Sequence, residues 1–235
     1  MRNKFICGDS LQEMKRIPDK YVDLTVTSPP YDNLRTYNGF EWDFEGIAKE
    51  LYRVTKDGGV VVWVVGDATI NGSETGTSFR QALYFIERGF NLHDTMIYEK
   101  NKAHVYDPRH HRYKQQFEYM FALSKGKPKT FNPIEDIPVK NAGQIRRVSQ
   151  RLPDGRIRKD RVVTLGEWQA RGNVWRYDTG IEDRIAYEHP AIFPEKLAED
   201  HILSWSNPGD VVLDPFGGSG TTAKMSALNN RDFIY

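Results

Sequence analysis

Six consecutive apolar residues, Val60 to Val65 (VVVWVV), form the most strand-like run in the chain. A second β-branched run, Val22 to Thr27, is apolar at most positions and stops at Ser28. A strand with no polar face belongs inside a sheet covered on both sides by helices. The segments between these runs have helical periodicity. Phe44, Ile47, Ala48 and Leu51 recur at i, i+3, i+4 and i+7, predicting a helix over about 44–54 with one apolar face. Phe79, Ala82, Leu83 and Ile86 repeat the spacing over 78–88, and Gly89 suits the C-cap. Ser10 followed by Glu13 has the form of a capping box. A short strand is expected at 4–7, and further strands at 92–98, 117–124, 211–214 and from 232. Helices are expected at 194–206, with proline in the first turn, and at 219–229. Strands alternating with amphipathic helices predict an α/β, doubly wound sheet.

The alternation lapses between about 125 and 188. Inside that span lie Lys140, Arg146, Arg147, Arg151, Arg156, Arg158, Lys159 and Arg161, against Asp154 and Asp160. The segment carries +6 on a chain whose net charge is only +1. Such a block suits a polyanion partner and a solvated loop equally well. "LPDGRI" within it reads as a hairpin turn, and Trp168 and Trp175 suit a small core or a stacking surface, of which the core is favoured.

The remaining constraints come from composition. With 235 residues, 39% of them hydrophobic, the chain can build one α/β domain with an insertion. No apolar run reaches the length of a bilayer span, and Met1-Arg2-Asn3-Lys4 leads into no cleavage signature. No membrane association is expected. Cys7 is the sole cysteine, which excludes an internal disulfide or a multi-cysteine zinc site and fits a reducing cytoplasm. His110 and His111 stand beside Arg109, Arg112 and Lys114 and suit phosphate contact; adjacent histidines lack the i, i+4 spacing of a helical metal pair, so no metal is expected.

Two stretches carry chemistry. "VVLDPFGGSGTTAKMSAL" reads as strand, tight turn and helix, with Gly217, Gly218 and Gly220 bringing backbone N–H groups close to a ligand. A P-loop would need Gly-Lys-Ser/Thr where this chain has Gly220-Thr221-Thr222. The dinucleotide pattern matches as Gly218-x-Gly220-x-x-Ala223, but too little chain follows for the rest of a nicotinamide domain. The third reading is S-adenosylmethionine (SAM), whose ammonium group suits the acid at the strand end, Asp214. The other stretch is Ser28-Pro29-Pro30-Tyr31, which taken alone is also an ordinary proline turn with a packed tyrosine.

Together these motifs resemble the β-type amino-methylating DNA methyltransferases. That family opens with S/D/N-P-P-Y/F/W and closes with D-P-F-x-G-S-G-T-T. Here Ser28–Tyr31 lie near the start, and Asp214-Pro215-Phe216-Gly217-Gly218-Ser219-Gly220-Thr221-Thr222 near the end. "HPAIFPEKL", from His189, is similar to the family's further cofactor motif, and "CGDSLQEM" to its acidic motif, with Asp9 after a strand. "QFEYMFALSKG" sits where the family has a strand. The resemblance covers about three-quarters of the chain and leaves 125–188 unmatched.

The resemblance implies a Rossmann-like SAM-dependent methyltransferase fold with permuted motif order. Residues 1–124 would be the catalytic half, 125–188 the inserted target-recognition region and 189–235 the SAM-binding half. Asp214, Phe216, Gly218, Ser219, Gly220, Thr221 and Thr222 would hold the methionine end of the cofactor. Asp9 would bind its adenine, with Phe193 and Lys196 lining the pocket. Ser28 and the Pro29 carbonyl would accept the hydrogens of an exocyclic amine, Pro30 would stiffen the loop, and Tyr31 would stack on a flipped base. Arg35, Arg146, Arg147, Arg151, Arg156 and Arg158 would contact double-stranded DNA. Tyr37 is a further DNA-contact candidate beside Arg35. The family reading also allows a companion restriction endonuclease and a homodimer. Serine before Pro-Pro-Tyr is commoner in the enzymes acting on cytosine N4, and aspartate or asparagine in those acting on adenine N6; cytosine is favoured here, with adenine the alternative. A non-catalytic nucleic-acid-binding module would be marked by a broken motif, and both motifs are intact. The family continues past its last strand to an acid that binds the cofactor ribose. This sequence ends at Tyr235, so either a tail follows or the ribose is held otherwise.

Overall fold

The computed structural model describes residues 2–31, 42–101, 111–178 and 194–235. They form two compact units, residues 1–132 with 173–235, and residues 133–172. The larger unit begins with α1 (Ser10–Met14), β1 (Val22–Thr27), α2 (Phe44–Val54) and β2 (Thr55–Val65). A minor hairpin of β3 (Thr69–Ile70) and β4 (Ser73–Glu74) precedes α3 (Thr77–Glu87), β5 (Asn91–Lys100) and β6 (Phe117–Ser124). The smaller unit holds β7 (Glu135–Pro138), β8 (Ile145–Arg151), β9 (Ile157–Thr164) and β10 (Trp168–Ala170). The larger unit resumes with β11 (Val174–Tyr177), α4 (Glu195–Trp205), β12 (Val211–Leu213), α5 (Thr221–Leu228) and β13 (Asp232–Ile234).

The main sheet has the order β11-β5-β6-β2-β1-β12-β13. Every neighbouring pair is parallel except those made by β6, which runs against both β2 and β5. The carboxyl ends of β1, β2, β5 and β12 therefore share one end of the sheet with the amino end of β6. Both faces are covered. Val61, Trp63 and Val65 alternate into the core beneath α1, α2 and α3. Val60, Val62 and Val64 point the other way, and all six are buried. The Trp63 indole N–H donates to Gln81 Oε1 at 2.8 Å, so this large ring is buried without an orphan donor.

Helix α2 follows its predicted face: Ile47, Ala48 and Leu51 are buried, and Asp43 caps it by accepting from the Gly46 N–H. Helix α3 does not. Phe79, Leu83 and Ile86 are exposed, while Ser78, Gln81, Ala82 and Phe85 face inward. The helix carries two stripes that compete for the sheet. Phe85, packed on Trp63 and Phe90, and the polar bonds of Gln81 to Trp63 and of Ser78 to Asp67 select the second one.

Three further expectations are corrected. Asp9, not Ser10, caps α1: its carboxylate accepts from the Gln12 N–H at 2.9 Å, while the Ser10 hydroxyl turns to the Pro215 carbonyl at 2.6 Å. Residues 4–7 make backbone bonds with Phe233 and Tyr235 but only one isolated bridge, Lys4 with Ile234, and no strand. The span 125–188 contributes to both units. β11 joins the main sheet beside β5, and Asn132 bonds the Leu203 and Ser206 carbonyls, which leaves 133–172 as the separate unit. The two tryptophans accordingly differ: Trp175 on β11 is buried against His201, while Trp168 on β10 is exposed.

His201 on α4 is fully buried, its ring 4.7 Å from that of Trp175 and its Nε2 3.2 Å from Met120 Sδ. Burial pushes its pKa down to about 3, against a smaller opposing effect of the Asp200 charge. Between that value and the ordinary histidine range near ~6.5 the unfolded chain binds the proton and the folded chain does not. Stability contributed by neutral His201 is thus present above about 6.5 and lost as pH falls, by at most ~1.4 kcal/mol per pH unit. Urea unfolding at pH 7 and pH 5 should show a smaller pH loss in His201→Gln than in the parent. Equal losses would show that the imidazole is not excluding its proton.

Candidate active site

Asp214 ends β12 and is buried, with 2% of its surface exposed. Its Oδ1 accepts from the Thr27 hydroxyl at 2.6 Å and from the Phe216 N–H at 3.1 Å. Burial raises its pKa, and the hydrogen bonds from Thr27 and the Phe216 N–H pull it back in part. The chain then turns through the glycines into α5. Gly218 and Gly220 have φ of +58° and +86°, in the left-handed region that side chains avoid. Gly217 is constrained differently: a Cβ there would lie 1.9 Å from the Tyr235 ring. The Tyr235 hydroxyl donates to the Gly218 carbonyl, and burial followed by the Asp214 charge pushes its pKa up to about 12. Ser219 and Thr221 hydroxyls lie 3.1 Å apart, and Thr222 donates to the Val26 carbonyl, tying α5 to β1. Phe216 packs edge-on against Trp42 at 5.0 Å. A solvent-open cleft lies beside this turn, lined by Gly8, Ser10, Asp214, Pro215 and Tyr235 among others.

The second half of the site starts one residue beyond Thr27. Ser28, half-buried, ends β1; Pro29 is buried and Tyr31 half-buried. The Tyr31 hydroxyl lies 2.8 Å from Ser28 Oγ and donates to Glu118 Oε2 at 2.9 Å. Glu118 also pairs with Lys100. The Tyr31 ring runs past Gly66 at the end of β2, where an added Cβ would meet it at 3.6 Å. Because β1 and β12 are hydrogen-bonded neighbours, with Thr25 opposite Leu213, the Ser28 loop and the glycine turn emerge side by side. This is the crevice at the carboxyl ends of a parallel sheet, where ligands of such folds bind.

The other expected site residues are placed less uniformly. Asp9 is exposed at the start of α1, next to the cleft-lining Gly8 and Ser10. Lys196 lies on α4 and pairs with Glu199 and Asp200, each at 2.8 Å; burial opposes its charge, but these two carboxylates raise its pKa overall. Arg35, Tyr37, Phe193, Arg109 and His110 lie outside the described residues. In the smaller unit Arg146, Arg147 and Arg151 stand on β8, Arg158 on β9, and Arg156 in the turn, where it pairs with Asp154. All five are exposed. Thr27, Lys100, Glu118 and Tyr235 were not picked out in the sequence. The available signal was a charged residue at the end of an apolar strand, for Lys100 and Glu118, and a threonine directly before Ser28.

Comparison with known proteins agrees with this geometry. The family model for DNA methylases of the N6/N4 type matches residues 22–235. The chain is 60% identical over 227 residues to the orphan methyltransferase M.BamHII of Bacillus amyloliquefaciens, covering 94% of this chain and 85% of that protein. It is 30% identical over 241 residues to the DNA adenine methyltransferase YhdJ of Escherichia coli strain K12, covering 97% and 76%. Among solved structures, the cytosine-N4-specific PvuII DNA methyltransferase has the same fold, with a TM-score of 0.71 at 22% identity over 100% of this chain and 81% of that one. TTHA0409, a putative DNA modification methylase from Thermus thermophilus solved with SAM, gives 0.60 at 25% identity over 96% and 85%. The sheet is thus that of the Rossmann-like methyltransferases, and the chain belongs to the N6/N4 family of DNA methylases, which methylate exocyclic amines.

Proposed function

We propose that this methylase transfers a methyl group from SAM to N4 of a cytosine flipped out of duplex DNA. The observation that carries the reading is the hydrogen bond from Thr27 to Asp214, which fixes the acceptor loop beside the cofactor turn. SAM supplies an activated methyl on a sulfonium. The residues present suit it: Gly218 and Gly220 hold the tight turn in left-handed backbone, and a buried carboxylate, Asp214, stands at the strand end for the ammonium beside a solvent-open cleft. Asp214 and the turn through Thr222 would hold the methionine end; Asp9, with one carboxylate oxygen capping α1, would reach the adenine, and Lys196 and Phe193 would line the pocket.

An exocyclic amine is a weak nucleophile because its lone pair is delocalised into the ring. Ser28 Oγ and the Pro29 carbonyl would accept its two hydrogens, favouring a pyramidal nitrogen with the lone pair aimed at the methyl. Pro30 stiffens the loop, and Tyr31 stacks on the base. The serine of Ser28-Pro29-Pro30-Tyr31 supports cytosine, because serine before Pro-Pro-Tyr is commoner in the family's cytosine-N4 enzymes. A second reading, adenine N6, is favoured by the name of YhdJ. Target recognition is assigned to the span 125–188, centred on the β8–β9 hairpin. A two-stranded ribbon is narrow enough to enter a major groove, and this one exposes arginines together with Ile145, Val148, Ile157 and Val162. Relatives named type II methyltransferases support a companion restriction endonuclease, and the relative named an orphan supports action alone.

Three measurements check this reading. Burial raises the pKa of Asp214, so its ionisation costs stability as pH rises through that raised value. Asp214→Asn should therefore melt higher than the parent at pH 8, converge with it toward acid, and bind SAM much more weakly by calorimetry. Unchanged SAM affinity would remove Asp214 from the cofactor site. Ser28→Ala should lower kcat about tenfold or more with little change in SAM affinity, and nucleoside mass spectrometry should find N4-methylcytosine; N6-methyladenine alone would overturn the cytosine assignment. Reversing Arg146, Arg147 and Arg151 together should weaken DNA binding and flatten its dependence on salt. An unaltered log–log slope would place the hairpin away from DNA.

A further inference from the structure

The proposed reaction needs Ser28 as an acceptor, yet a hydroxyl is also a donor and its proton has to point elsewhere. The structure supplies a direction. The Ser28 and Tyr31 hydroxyls are 2.8 Å apart, a distance that by itself leaves the donor open. Glu118 removes the ambiguity. A carboxylate only accepts, so the single phenolic proton of Tyr31 goes to Glu118 Oε2. Ser28 must then donate to the Tyr31 oxygen, and its own lone pairs remain to accept from a substrate amine. Lys100, 2.5 Å from Glu118 Oε1, holds the carboxylate from its other side. Both side chains are largely shielded, with 15% of Glu118 and 24% of Lys100 exposed, so water competes weakly for these bonds. The sheet brings the pieces together. Glu118 is the second residue of β6 and Lys100 the last of β5, and the pair meets Tyr31 only because β6 runs opposite to its neighbours.

We infer that Glu118, anchored by Lys100, is a positioning residue that turns the Ser28 hydroxyl through Tyr31, so that Ser28 serves as a dedicated hydrogen-bond acceptor for the substrate amine. The inference rests on the methyl-transfer reading for its consequence, but not for the orientation itself. Glu118→Gln keeps the size of the side chain while its amide N–H₂ can donate to the phenol. Tyr31 is then free to donate to Ser28 and occupy the lone pairs the amine needs.

The test combines kinetics with spectroscopy on the full chain. Glu118→Gln should lower kcat about tenfold or more with SAM affinity unchanged. Tyr31→Phe should also lower kcat, and the double variant should be little worse than the poorer single one, because one relay is broken only once. Independent losses that multiply would overturn the inference. In protein labelled with ¹³C at the tyrosine Cζ, the resonance that disappears in Tyr31→Phe should shift in Glu118→Gln, and should shift in the opposite direction in Lys100→Gln, where the carboxylate loses its cation and accepts more strongly. That second variant leaves the carboxylate in place and serves if Glu118→Gln does not fold. A Tyr31 resonance identical in parent and variants would sink the relay. A shifted resonance in a protein that transfers no methyl group would uphold the relay and refute the proposed reaction instead.

Discussion

A buried carboxylate at the end of a central strand is costly unless donors surround it. Asp214 finds one of them on a strand 187 residues away in sequence: the Thr27 hydroxyl, 2.6 Å from its Oδ1. The bond lies between two neighbouring parallel strands, and the next residue along β1 is Ser28. One contact therefore satisfies the acid beside the glycine turn and fixes the origin of the Ser-Pro-Pro-Tyr loop. The permuted order of motifs poses no difficulty, because adjacency in a sheet depends on pairing and not on sequence distance.

The reversed strand β6 has an equally direct consequence. In an all-parallel sheet every strand would bring its carboxyl end to the crevice. Reversal brings an amino end instead, and with it Glu118. The side of the site proposed for the methyl acceptor is thereby assembled from the ends of β1, β5 and β6, while the side proposed for the cofactor uses β12, β13 and the two short helices α1 and α5. Ser10 on α1 bonds the Pro215 carbonyl, so the helix expected to supply the adenine-binding acid is tied to the glycine turn.

Some of this was legible and some was not, for identifiable reasons. The VVVWVV run, the α2 stripe and the turn at "LPDGRI" were read correctly because each is set by local periodicity or turn chemistry. In α3 periodicity failed, since Phe79-Leu83-Ile86 and Ala82-Phe85 are both plausible stripes. The choice fell to Trp63, whose indole N–H needs Gln81 inside. The capping box at Ser10 failed because Asp9 offers a carboxylate one position earlier. β11 was hidden within the basic insertion because a four-residue strand has too few positions to show a period.

By itself, the sequence determined the fold class, the two chemical motifs and the residue types they place at strand ends, because hydrophobic period and backbone-restricted turns are local properties. Only the tertiary structure decided that Thr27 partners Asp214, that Glu118 and Lys100 reach Tyr31, and that Tyr235 lies against Gly217. Each of these depends on which strands pair and in which direction they run, and the free energy that sets this is spread over a buried sheet whose strands come from both ends of the chain.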